Sequence, residues 1–258
     1  VNEASALSER AAASVQPLDL AIARACEAIS HNLNGQRLGR KGRETRERIL
    51  RTAIDVLVAE GEGEDSFTLS AVARRAGLGM SSLYNYFTDL SELMAAVLEP
   101  VMVSAQAAYL DLLDDYWPDG HLALRCAEFW ALYARFWNSH AVILHQRNRM
   151  SDSGDARMLS CRVEASGPLV KGICRQLGLG AEAQAPQSEL AMAAVLATMM
   201  ERTVTVQSSP SYAQFTSREG ESGASNLGPA GARLLAVAIS DSRNAGRLQS
   251  GSNAAAIG

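Results

Sequence analysis

The sequence predicts an all-α fold of two helical domains. Three observations carry this expectation: apolar residues recur at three- and four-residue spacing through most of the chain, no run alternates as a half-buried strand would, and glycine- or serine-rich breaks separate the helical stretches. With 258 residues, 47% of them hydrophobic and 20% charged, the chain is long enough for one large or two small cores and has the composition of a folded globular protein.

Residues 1–36 read as an N-terminal extension. Pro17-Leu18-Asp19 precedes an alanine-rich stretch to Ile29 that suits a short amphipathic helix, and the rest reads as a flexible arm. A first domain over 37–99 begins with a helix from Arg43 to Ala59, where Ile49, Ala53, Val56 and Leu57 form one buried stripe and Gly61 and Gly63 end it. A short helix from Thr68 to Ala76 follows, with Thr68 as N-cap, Leu69, Val72 and Ala73 facing inward, and Gly77 as its stop. A second short helix runs from Gly79 to Tyr86, and a longer one starts near Ser91 and reaches Pro100, which kinks or breaks it.

A second domain over 100–246 shows the same period through Val101–Tyr116, Ala123–Trp137, Asp155–Leu177, Glu189–Val206 and Ala230–Ser240. Asn138–Gly154 reads as a polar loop around a short helical piece, Ser208–Gly228 as a mobile linker, and 247–258 as a flexible tail.

The segment Phe67–Phe87 has the pattern of a helix-turn-helix, in which a first helix braces across the DNA backbone and a second presents residues to base edges. Ala73 and Ala76 permit close approach, Gly77 permits the turn and Leu83 anchors the second helix. Met80, Ser81, Ser82, Tyr84 and Asn85 are left on or near the outward face. Taken alone, such a pair is equally an ordinary corner between two helices. A net charge of -4 does not suggest nucleic acid, but Arg37, Arg40, Lys41, Arg43, Arg46, Arg48 and Arg51 face only Glu44 and Glu47 within their stretch. That basic run gives one end of the chain a local positive field, although by itself it also suits a solvated helix face.

Thr68-Leu-x-x-Val-Ala-x-x-Ala-Gly-Leu followed by Ser82-Leu-Tyr-x-Tyr-Phe87 resembles the signature of the tetracycline-repressor (TetR) family of transcriptional regulators, over about Arg43 to Leu98. The resemblance implies that Thr68 and Tyr86 bind phosphates, that Met80, Ser81, Ser82 and Tyr84 approach bases or backbone with Asn85 beside them, and that Arg43 and Arg46 add phosphate or minor-groove contacts. It further implies a homodimer built through the last two long helices, a palindromic operator, release by a small-molecule effector, and repression as the default outcome. Two positions depart from the family's pattern. Gly79 stands where a serine cap is usual, and Leu90 stands where a lysine is common, so each lacks the side chain for the family's usual backbone contact. Arg37, Arg40 and Lys41 are placed to compensate from the N-terminal arm.

In the second domain Phe129, Trp130, Tyr133, Phe136 and Trp137 fall on one broad helical face, with Tyr116 and Trp117 just upstream. Core packing and the wall of a pocket for an apolar or aromatic effector are both open readings. Cys126, Phe129, Trp130, Tyr133 and Trp137 are the candidate lining, with Arg125, Glu128, Arg135, His140 and His145 as nearby polar groups. The two histidines lie five apart without a carboxylate or cysteine to complete a set, so neither a metal nor a cofactor is expected. No glycine-rich phosphate loop or nucleophile elbow occurs, and no enzymatic activity is expected.

Cys26, Cys126, Cys161 and Cys174 are scattered, as buried reduced thiols would be; a redox sensor on the same scaffold is the alternative. A helical module for protein contacts is another. No apolar stretch approaches about 20 residues, and no basic segment leads into an apolar one at the N-terminus, so the reading is of a cytoplasmic protein without a membrane partner.

Overall fold

A computed structural model describes residues 18–60, 67–178, 187–209, 212 and 227–255. Among them the regular structure is helical. The elements are α1 (Leu18–Ala28), α2 (Arg40–Glu60), α3 (Leu69–Arg75), α4 (Met80–Leu83), α5 (Leu90–Ala108), α6 (Leu122–Ser139), α7 (Ala141–Asp152), α8 (Ala156–Gln176), α9 (Gln187–Gln207) and α10 (Leu227–Ala255), with short 3-10 turns at Leu110–Leu113 and Asp119–His121. The chain divides into two compact units: the residues up to Ala105 together with His140–Glu164, and Gln106–Ser139 together with those from Ala165 onward. The expected boundary near residue 100 is a single cut, whereas α7 and the start of α8 group with the first compact unit.

In the first unit, α1 packs along α2. Ile22 and Cys26 are buried on α1, and Ile49, Leu50, Ala53, Val56 and Leu57 on α2. Arg51 ties the pair at the surface, reaching Glu47 one turn back at 2.8 Å and Asp19 of α1 at 3.4 Å. Pro100 does not break α5, which continues from Leu90 to Ala108; the proline removes one donor, but Val97, Leu98 and Val101 are buried on either side of it and hold the helix in place.

The polar loop expected over Asn138–Gly154 is a twelve-residue helix, α7, that packs on α2. Its periodicity escapes an apolar count because four of its buried positions are polar. Beside Ile143 and Leu144 lie Gln146, Arg147, Asn148 and Ser151, and Arg147 satisfies part of its charge internally by donating twice to Asn148 Oδ1, at 3.0 and 2.8 Å.

The second unit is organised on α6, which packs chiefly on α10 and also on α9. Buried Arg243 of α10 fastens the unit's edge: it donates to the carbonyls of Gln176 and Trp117, each at 2.8 Å, and to Asp119 Oδ1 at 2.7 Å, while its guanidinium lies 4.1 Å from the centre of the Tyr116 ring. The helix α10 runs on to Ala255 instead of giving way to a flexible tail near 247; Arg247, Leu248 and Gln249 are good helix formers with no proline to stop them. Most of the linker expected over Ser208–Gly228 lies outside the described residues.

Candidate nucleic-acid interface

The helix α3 is capped at both ends by its own sequence. Thr68 Oγ1 accepts the Ala71 N–H at 3.1 Å, which satisfies a donor that would otherwise be orphaned at the N-terminus. At the other end Gly77 takes a φ of +66°, while the Leu78 N–H reaches the Ala73 carbonyl at 2.9 Å and the Gly77 N–H reaches Arg74 at 3.2 Å. This paired closure is the Schellman motif, and it turns the chain within three residues. The chain then enters α4 with Gly79 as N-cap in an extended conformation and no side-chain cap bond.

The helix α4 is shorter than its sequence suggests, ending at Leu83 and continuing as a turn through Tyr86. Leu83 and Phe87 are fully buried and hold its inner side. Ser81 and Ser82 are exposed, Tyr84 is 49% exposed, and Met80, Asn85 and Tyr86 are half-buried. All six therefore keep some solvent exposure.

Asn85 is the exception in kind. Its carbonyl accepts the Leu33 N–H at 3.1 Å and its Oδ1 accepts Asn34 Nδ2 at 2.8 Å, so both of its oxygens hold a turn from the N-terminal extension. Residues 29–39 are accordingly not a flexible arm. Asn32 Oδ1 accepts the N–H groups of Asn34 and Gln36, Gly35 sits at a φ of +73°, and a single antiparallel bridge joins His31 to Arg37. The signal was present as Asn32-Leu-Asn-Gly35, where asparagine organises its own backbone and glycine supplies the left-handed residue.

The basic run separates by role. Arg46 is turned inward: its guanidinium lies 4.9 Å from the centre of the Phe87 ring and its Nη1 lies 3.9 Å from Cys26 Sγ. Burial pushes the Cys26 thiol up, with Arg46 pulling in the opposite direction. Arg43 is half-buried, and its Nε has no hydrogen-bond partner among the described residues. Arg40 pairs with Glu44 at 3.4 Å on the surface. Arg37, Lys41 and Arg48 are exposed, as are Arg74 and Arg75 at the end of α3, two cations that reading the motif alone left out.

Behind this surface the start of α5 is locked. Asp89 Oδ1 accepts the Glu92 N–H at 2.7 Å, and Glu92 Oε2 accepts the Thr88 N–H at 2.6 Å, a reciprocal N-terminal cap. Arg157 of α8 reaches Asp89 at 2.8 Å, and the Ser91 hydroxyl donates to Asp155, which itself caps α8 through the Met158 N–H. Burial opposes ionisation of Asp89, but the Glu92 N–H, the Thr88 hydroxyl and Arg157 together hold its carboxyl below the usual range.

The aromatic residues of α6 are all buried, but they face different neighbours. Tyr109 lies 5.1 Å from the ring centres of both Tyr133 and Phe136, and Trp117 lies 5.7 Å from Phe129. The Trp137 indole donates to Ser208 Oγ at 3.1 Å. Trp130 lies flat on Gly231 of α10, so closely that a Cβ there would stand 2.2 Å from the ring, and its buried Nε1 has no hydrogen-bond partner among the described residues. Burial pushes the Cys126 thiol up to about 12 and the His140 imidazole down. Among the described residues no group of three His, Cys, Asp or Glu side chains is placed to hold a metal, and no helix is long and apolar enough to cross a membrane. No model of a known protein family matches the chain, and no curated protein matches it.

Proposed function

We propose that the protein is a transcriptional regulator that binds operator DNA through α3 and α4, in the manner of the TetR family that its sequence resembles. One observation carries the reading: the Gly77 closure joins two short helices so that Leu83 and Phe87 are buried while Ser81, Ser82 and Tyr84 face out. A four-residue helix has little stability of its own, and a protein that buries one side of it while presenting serines and a tyrosine on the other suits a reading head. Exposed Arg37, Lys41, Arg48, Arg74 and Arg75 in the same unit supply the cations that a phosphate backbone requires. In this role Tyr86, Thr68 and Arg43 meet phosphates, and Met80, Ser81, Ser82 and Tyr84 meet base edges or the backbone.

The working form is a homodimer on a palindrome, with cytoplasmic DNA as its target and repression as the outcome. Leu190, Met192 and Val195 of α9 and Leu234 and Val237 of α10 are apolar and exposed, which suits packing of a second copy on the last two long helices. A small apolar or aromatic effector acts through the second unit, where the buried Trp130 N–H offers a bound molecule a donor. The effector must bind the released state better than the DNA-bound one, since equal affinity shifts nothing.

The test uses the full chain and duplexes that it selects from a random pool. Tyr86→Phe weakens binding to selected and random duplexes alike, whereas Ser82→Ala or Met80→Ala changes the selected sequence, with about 1–3 kcal/mol of discrimination lost at the base concerned. Equal losses on selected and random duplexes contradict the assignment of base reading to α4.

A further inference from the structure

We infer that the turn at residues 30–39 is a second DNA-contacting element, which meets the phosphate backbone on the flank of the half-site read by α4; this rests on the DNA-binding reading above. Three observations lead there.

The first is chemical. Between Glu27 and Glu44 the chain has no carboxylate, yet it carries Arg37, Arg40, Lys41 and Arg43 together with the amides of Asn32, Asn34 and Gln36. Cations and amide donors without an acid are the side chains that phosphate oxygens and sugars take, and they suit no cationic or apolar partner surface.

The second is position. The turn is attached to the segment that directly follows α4, through Leu33 N–H to the Asn85 carbonyl and Asn34 Nδ2 to Asn85 Oδ1. Whatever surface α4 approaches, the turn reaches its border, and a side chain at Arg37 is carried along with the reading residues. Asn85 thus serves as the anchor of a neighbouring contact.

The third is order. The Asn32 side chain spans the turn by accepting from Asn34 and Gln36 and donating to Gln36 Oε1 at 3.0 Å, and the Leu38 N–H returns to the Ser30 carbonyl at 2.8 Å above a buried Leu38 side chain. These bonds leave His31, Asn34, Gln36 and Arg37 exposed on a shape already fixed, so a contact made by them costs little ordering entropy.

The experiment compares the full-length wild type with Arg37→Ala and Arg37→Glu on the duplex that the wild type selects from a random pool, by salt titration and hydroxyl-radical footprinting. Arg37 is exposed, so folding is expected to be retained and is checked by thermal unfolding. Arg37→Ala lowers the slope of log affinity against log salt by about 1 and removes protection at one edge of each half-site, leaving the preferred core sequence unchanged. Arg37→Glu weakens binding further. Asn34→Asp, which sets a carboxylate against Asn85 Oδ1, reproduces the lost edge protection with Arg37 intact. An unchanged slope and footprint in all three variants overturns this inference alone. A wild type that selects no duplex overturns the DNA-binding reading, and this inference falls with it.

Discussion

Burial governs the chemistry of the cysteines. Desolvation pushes all four thiols up, and Cys126, fully buried in the second unit, is pushed to about 12. The unfolded chain releases that proton near the ordinary value of 9.0, so the stabilisation is fully present below pH 9 and is lost as pH rises toward 12. Between pH 9 and 10.5, Cys126→Ala therefore flattens the alkaline fall in stability by up to about 1.4 kcal/mol per pH unit relative to wild type, as read by urea unfolding. Parallel slopes for the two proteins contradict the burial of this thiol. At the same scale, the residues that the helix-turn-helix pattern sets outward are exposed or half-buried, but the contacts of individual side chains were not legible. Arg46 and Asn85 have the right type for nucleic acid, and nothing in their local pattern says that one turns inward onto Phe87 and the other holds Leu33 and Asn34. Those partners lie 41 and about 50 residues away in the chain, beyond the reach of any local pattern.

Most elements were legible because their buried faces are apolar and periodic. Ile49, Ala53, Val56 and Leu57 mark α2, and the Thr68 cap and Gly77 turn mark α3 within a residue of where it begins and ends. What stayed hidden was structure built from polar groups: α7, with Arg147 and Asn148 buried in place of apolar side chains, and the Asn32–Gly35 turn. The joint of α6 with α10 was also hidden, since Gly231 reads in sequence as a helix weakness. It is a seat for Trp130. A methyl group there meets the ring at 2.2 Å, and a buried indole has nowhere to go, so overpacking outweighs the roughly 1 kcal/mol of helix propensity gained. Gly231→Ala is expected to destabilise the protein by about 1–2 kcal/mol in urea unfolding, while Gly246→Ala on the same helix, with open space around it, stabilises by about 0.5–1 kcal/mol. The same sign for both substitutions contradicts the packing of Trp130 on α10.

At the scale of the whole molecule, the chain joins a unit rich in exposed cations to one held together by aromatic rings. The net charge of -4 conceals this, because acids elsewhere in the chain outweigh the basic run around α2. Under the proposed function, the apolar side chains left exposed on α9 and α10 are the ones that a second copy covers, and a two-fold dimer matches a palindromic site. The most direct measurement is fluorescence anisotropy of the full-length chain on its selected duplex and on random duplexes as salt is raised. The expected result is two chains per selected duplex, affinity at least about a thousandfold above random sequence, and a linear fall of log affinity with log salt. No complex at low salt, or one equally tight on every sequence, would contradict sequence-specific binding by α4.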